Sequence, residues 1–199
     1  MSVLLVRTAP LPAGPRAPGY PAARDALLRE ALAAAGLRLG AGDVALARRC
    51  ATCGGTDHGK PEVVAALARG RHVSVAHTAT RLAVAVADGP CGVDVEDVAA
   101  VGRAPVAPVL LAPRERVGGG PPDAEDLART WVRKEALLKA TGHGLAVEPA
   151  DLVLGPPGAP PRVVRWRGPG RTPRPAGWSE QVLTGPVRAV LTAVVLRAP

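Results

Sequence analysis

The sequence predicts an α+β chain arranged as two lobes. Three observations lead there. Each half holds a helical stretch followed by strands built almost wholly of valine and alanine, the pattern of a duplicated α+β unit, although the sequence repeat itself is faint. A long helix in the second half carries stop signals at both ends. The 199 residues, 47% of them hydrophobic, suffice for one large domain or two small ones packed together. No short-period repeat of the solenoid kind is present.

Taken in order, Ser2–Arg7 alternates weakly and reads as a first strand. Leu11–Pro21 holds four prolines and two glycines and reads as a loop. Ala22–Ala35, AARDALLREALAAA, is helical, with Gly36 as its stop. Val44–Ala47 is a candidate strand, and Cys50–Pro61 is rich in turn residues. Arg71–Ala76 and Leu82–Ala87 form a hairpin, and Cys91–Val98 is a further strand entered through the Gly89-Pro90 turn.

The second half opens with a proline-interrupted helical stretch, Pro105–Arg116, then a break at Gly118–Pro122. The strong helix runs from about Pro122 to Ala140, acidic in its first turn and followed by Gly142, as the helix dipole favours. Asp151–Leu154 and Val187–Leu196 read as strands. Between them, Gly155–Gly177 is rich in glycine and proline and holds five arginines (162, 165, 167, 171, 174) and no acid. It reads as a long loop or ragged hairpin, not a packed element.

Composition narrows the classes. No apolar run approaches the ~20 residues of a membrane span, and Met1–Arg7 meets proline too soon for a signal peptide, so no membrane partner is expected. Three cysteines make no disulfide framework, which points to a reducing cytoplasm. The net charge of +8 calls for an acidic partner, and it is uneven: residues 1–99 carry eleven basic and nine acidic side chains, residues 100–199 fourteen and eight. Of the 25 basic residues, 22 are arginine. Lys60, Lys134 and Lys139 therefore stand out, because arginine cannot supply a compact ammonium.

Three segments carry chemistry. In Gly92-Val93-Asp94-Val95-Glu96, strand alternation puts Asp94 and Glu96 on one face and the valines on the other. Two parallel carboxylates repel unless a cation sits between them, and oxygen donors suit Mg²⁺ or Mn²⁺; an exposed edge strand is the plainer account. In Trp131–Gly142, WVRKEALLKATG, Glu135 and Lys139 are neighbours on one helix face, with Lys134 beside them. That spacing alone is commonest in solvated ion pairs. Third, His77 ends a strand in Arg71–Thr78, where a hydrogen-bonded turn histidine is the plainer reading.

Together these segments resemble the 4′-phosphopantetheinyl transferases, specifically the larger surfactin-synthetase-activating type. That family carries a Gly-φ-Asp-φ-Glu strand, φ being hydrophobic, and some forty residues later Trp/Phe-x-x-Lys-Glu-Ala/Ser-x-x-Lys-x-x-Gly. Ala76-His77-Thr78 matches its Ser-His-Ser and Gly59-Lys60-Pro61 its Gly-Lys-Pro. The order of segments agrees from about Arg24 to the C-terminal strand. The family has a longer segment before the RDALLR-like helix, and a serine where this chain has Ala76.

The resemblance implies the family's two pseudo-symmetric α/β lobes, residues 1–90 on the coenzyme nucleotide side and 91–199 carrying both motifs, with the active site between them. It implies Asp94, Glu96 and Glu135 as Mg²⁺ ligands, Lys139 as a phosphate ligand with Lys134 a secondary candidate, His77 on the coenzyme phosphates, and Lys60 and Arg24 along the nucleotide. The implied reaction moves the phosphopantetheine arm of coenzyme A to a serine of an acyl or peptidyl carrier protein and releases 3′,5′-ADP, with Glu135 or a water on the metal as base. A monomer is expected, because both lobes are on one chain. Two further readings stand beside it. One is an arginine-rich nucleic-acid binder with Trp166 and Trp178 as stacking surfaces, which leaves the clustered lysines and carboxylates unexplained and makes nucleic acid the less expected partner. The other is a non-catalytic coenzyme- or carrier-binding relative. Cys50-x-x-Cys53 with His58 suggests zinc, but Cys91, His72 and Asp57 are too scattered along the chain to complete four ligands, so two small turn cysteines are the expectation.

Overall fold

The computed structural model describes residues 4–11, 14–50, 53–57, 59–116 and 122–197. His58 and all of the Gly118–Pro122 break except Pro122 lie outside them. Two three-stranded antiparallel sheets form the centre. The first has the order β1 (Leu4–Pro10), β5 (Arg81–Ala87), β4 (His72–His77); the second has β6 (Cys91–Asp97), β10 (Ala189–Leu196), β9 (Pro175–Leu183). Each sheet thus sets its last strand between its first and its penultimate one.

Alternation decides the layers. In β5, Leu82, Val84 and Val86 face the helix α1 (Tyr20–Ala34), against Leu27, Leu28, Ala31 and Leu32. Ala83, Ala85 and Ala87 face the other way, onto Cys91, Val93 and Val95 of β6 and Ala189, Leu191, Ala193 and Val195 of β10. Small side chains on both inner faces let the sheets pack without phenylalanine or isoleucine. The outer face of the second sheet receives the helix α5 (Ala124–Thr141), whose Leu137, Leu138 and Ala140 pack with Val194 and whose Leu127, Ala128 and Val132 pack with Val190. The layers run helix, sheet, sheet, helix, and a core shared across both halves joins them.

Smaller elements complete the chain. β2 (Leu46–Arg49) pairs with β3 (Lys60–Val63), a strand hidden within a turn-rich sequence, and α2 (Val64–Leu67) follows. The proline-interrupted stretch resolves into α3 (Val98–Arg103), α4 (Ala107–Leu110) and a 3₁₀ turn at Pro113–Glu115. Of the two readings of Gly155–Gly177, long loop or ragged hairpin, the structure shows the hairpin, and corrects only the expectation that it is not packed. Within it β8 (Val163–Trp166) pairs with β7 (Leu152–Leu154), and its end already belongs to β9. Buried Arg133 holds the intervening chain, donating to Glu180 at 2.7 and 2.9 Å and to the carbonyls of Pro156 and Ala159. Trp166 and Trp178 pack against the α5 core and are not free stacking platforms.

Candidate active site

Asp123 caps α5 by accepting from the Glu125 and Asp126 amides, and Gly142, at φ 79°, ends it in the left-handed conformation. The helix lies hard against β6 at Gly92, where an added Cβ would meet the Ala136 carbonyl and come within 2.7 Å of the Ala140 nitrogen. The outward face of β6 after Gly92 carries Asp94 and Glu96. The helix face above carries Glu135 and Lys139.

Lys139 Nζ donates to Asp94 Oδ1 at 2.6 Å and to the Val93 carbonyl at 3.2 Å. Asp94 Oδ2 and Glu135 Oε1 are both sealed from water with no hydrogen-bond partner. Such atoms are costly unless a cation or donor meets them. Burial raises the Asp94 carboxyl pKa despite the Lys139 charge, and burial with the Asp94 charge raises that of Glu135. Glu96 is pushed up to about 7, by burial first and then by the charge of Asp94, with Asp97 and Glu135 adding to it. Burial alone would lower the Lys139 pKa, but Asp94, Glu135 and Glu96 raise it. An excess of negative charge around one ammonium defines the site.

The donor set fits a hard divalent cation: oxygen atoms only, mutually repelling, two of them without partners. Among the described residues no three His, Cys, Asp or Glu side chains stand gathered as a metal cage, and Lys139 occupies one oxygen of Asp94.

The first sheet supplies the opposite wall. Ser74 Oγ accepts from the Val93 amide and ties β4 to β6. His77, at the end of β4, meets the ring of Tyr20 edge-on at 5.4 Å. Burial and the Lys139 charge lower the His77 pKa, against a smaller pull from Asp94. Arg24 bonds its neighbour Asp25 at 2.7–2.8 Å, and its charge bears on Tyr20, as do those of Arg48 and Lys139. Lys60 pairs with Glu62 at 2.9 Å and shares with Lys139 a cavity of about 560 Å³.

A superfamily profile, that of the 4′-phosphopantetheinyl transferases, matches residues 90–192, more than half of the chain. The chain belongs to the 4′-phosphopantetheinyl transferase superfamily. No curated protein matches it. The part that the transferase profile covers contains Asp94, Glu96, Glu135 and Lys139, whereas Arg24, Lys60 and His77 lie before it.

Lys134 lies apart from this cluster, against the expectation of a secondary phosphate ligand. It is fully buried, and its three donated bonds go to Glu115 Oε2 at 2.6 Å, the Leu110 carbonyl at 2.7 Å and the Pro149 carbonyl at 3.0 Å. An ammonium so saturated has no proton left for a ligand. The sequence reading also passed over Tyr20, whose ring meets His77. Tyr20 sits in a proline-rich entry to a helix, with no local signal of its distant partner His77.

Proposed function

We propose that the protein transfers the 4′-phosphopantetheine arm of coenzyme A to a serine of an acyl or peptidyl carrier protein, as a member of the larger type within its superfamily. The observation that carries this is the Lys139–Asp94 contact of 2.6 Å beside Glu96 and Glu135, inside the segment that matches the superfamily. Asp94, Glu96 and Glu135 are the residues that would hold Mg²⁺, or Mn²⁺. Bound there, the ion supplies neutralisation of the coenzyme's diphosphate charge.

The protein's own groups then act by position. Lys139 turns its ammonium from Asp94 to a diphosphate oxygen, and His77 and Lys60 hold the coenzyme from the first-sheet side. The serine oxygen attacks the phosphorus that bears the pantetheine arm, and the P–O bond to the departing 3′,5′-ADP breaks. Glu135, whose Oε1 has no partner, takes the serine proton. The shared strand order of the two sheets supports reading residues 1–90 and 91–199 as related lobes, and with both on one chain the protein acts as a monomer. Three cysteines, too few for a disulfide framework, agree with a place in the cytoplasm.

Incubation with coenzyme A, Mg²⁺ and an apo carrier protein tests this. A gain of ~340 Da on the carrier is expected, the mass of one arm transferred to one serine. An unchanged carrier mass with several apo carriers, while coenzyme A binds, would leave the non-catalytic coenzyme-binding relative as the better reading.

A further inference from the structure

We infer that Ser74 is a positioning residue for the acidic site: its hydroxyl reaches from the first sheet to the strand that carries Asp94 and fixes where that carboxylate stands. Its effect on turnover rests on the transferase reading. β6 lies at the edge of its sheet, with β10 as its strand neighbour. In antiparallel pairing a residue sends its amide and its carbonyl to the same side, towards the neighbouring strand or away from it. Val93 sends both away from β10. Its amide donates to Ser74 Oγ at 3.1 Å, and its carbonyl accepts from Lys139 Nζ at 3.2 Å. The open edge is thus held from two sides, by the first sheet and by helix α5. That carbonyl belongs to the peptide unit that leads into Asp94, whose Oδ1 takes the same ammonium at 2.6 Å. A shift of Val93 therefore moves the carboxylate and the lysine together.

The surroundings of Ser74 point the same way. It lies in β4 at 2% exposure, while Val73 and Val75 of the same strand turn to the α1 core. The face it shares with Ala76 looks onto an apolar layer that includes Ala83, Ala85, Cys91 and Val95. A hydroxyl in such a layer is costly unless it is hydrogen-bonded. Alanine would continue the layer, but it would leave the buried Val93 amide without its acceptor. The serine is needed by β6, one residue before the aspartate, and not by its own sheet.

Three variants of the full chain test this: Ser74→Ala, Ser74→Cys and Ser74→Thr. Cysteine keeps the size with a weak acceptor and serves in place of alanine should that variant not fold, whereas threonine keeps the hydroxyl. Each is titrated calorimetrically with Mn²⁺ and assayed for transfer at a temperature below its melting transition. Ser74→Ala and Ser74→Cys are expected to bind Mn²⁺ about tenfold more weakly and to lose about tenfold in kcat, with carrier KM changed less than about twofold. Ser74→Thr should return both values to within about twofold of wild type. A hydroxyl that only braced the fold would lower the melting temperature and leave the Mn²⁺ affinity and kcat of the folded protein unchanged, and that result overturns the inference. A loss in Ser74→Thr as large as that in Ser74→Ala overturns it also. Wild-type protein that neither binds Mn²⁺ nor transfers overturns it together with the transferase reading. Mn²⁺ binding that weakens on substitution, in a protein that transfers nothing, upholds the role of Ser74 and removes the transferase reading alone.

Discussion

Gly92 and Ala136 meet backbone to backbone, and this contact sets the height of helix α5 above the strand that carries Asp94. The first residue of the GVDVE motif is thus a spacer of zero width, and Lys139 reaches Asp94 because of it.

Gly92→Ala should therefore lift the helix. Neither neighbour can yield, because both are backbone atoms of a buried helix. A loss of about 3 kcal/mol, or a melting temperature about 10 °C lower, is expected, and transfer should fall even at temperatures where the protein is folded. An unchanged melting temperature would refute the spacing argument.

The two lysines of the motif helix should fail differently. Lys134→Met removes three donated bonds inside the protein and should cost about 3 kcal/mol, near the low end for a broken buried pair, since Glu115 keeps the Ala112 and Leu154 amides. In whatever protein stays folded, the KM for coenzyme A should not move. Lys139→Arg should melt like wild type and transfer at least about tenfold more slowly, because a planar guanidinium cannot replace the ammonium between carboxylate and phosphate.

Glu135→Gln should abolish transfer, by about a hundredfold or more, and leave the melting temperature unchanged or raised. Its carboxylate has an unpartnered buried oxygen, and burial and Asp94 outweigh its attraction for Lys139, so its charge is a net cost to the fold. Asp94→Ala should lower the melting temperature, since Lys139 loses its partner. Paired calorimetric scans of the two variants decide the point.

The Glu96 carboxyl ties stability to pH. Its pKa of about 7 in the folded protein exceeds the ordinary 4.5, so between these values the folded state holds the proton that the unfolded state has released. Stability from this group is therefore full below about pH 4.5 and lost as pH rises to 7, by up to ~3 kcal/mol and less for its partial exposure. Mg²⁺ should reverse the loss, raising the melting temperature more at pH 8 than at pH 5. The same increment at both pH values, or its persistence in Glu96→Gln, would remove Glu96 from the metal set.

Salt should separate the two substrates. Arg162, Arg165, Arg167, Arg171 and Arg174 are all exposed, with only a 3.8 Å contact from Arg167 to Asp151 among their described ion pairs, whereas Arg133 is sealed inside. Carrier KM should rise steeply with ionic strength and coenzyme KM less, given a Debye length of ~8 Å at 0.15 M. Replacing the five arginines with glutamine should flatten the carrier dependence. A dependence that stays as steep would exclude this hairpin as the docking surface.

The sequence and the structure agree where the information is local. The alternation of GVDVE and the four-residue spacing of Glu135 and Lys139 are properties of a single strand and a single helix, and both faces came out as the periodicities require. Lys134 shows the limit. Its helix angle places it near Glu135, but burial depends on Leu110, Glu115 and Pro149, brought in from elsewhere on the chain. Gly155–Gly177 is legible as a ragged hairpin, but that it is packed is not, for the same reason. Proline and glycine mark poor intrinsic strands, yet pairing with β7 and β10 and the grip of Arg133 on two of its carbonyls supply the order that composition lacks.

The placement of β10 between β6 and β9 sets a timetable for biosynthesis. The carboxylate strand, residues 91–97, leaves the ribosome long before its hydrogen-bonding neighbour at residues 189–196 exists. Until then β6 has an unpaired edge carrying Cys91, Val93 and Val95, and the aspartate that Lys139 will neutralise has no settled surroundings. The nascent chain is thus most prone to self-association while it is between these two lengths, and a ribosome pause in that interval should lower the yield of folded protein more than a pause elsewhere.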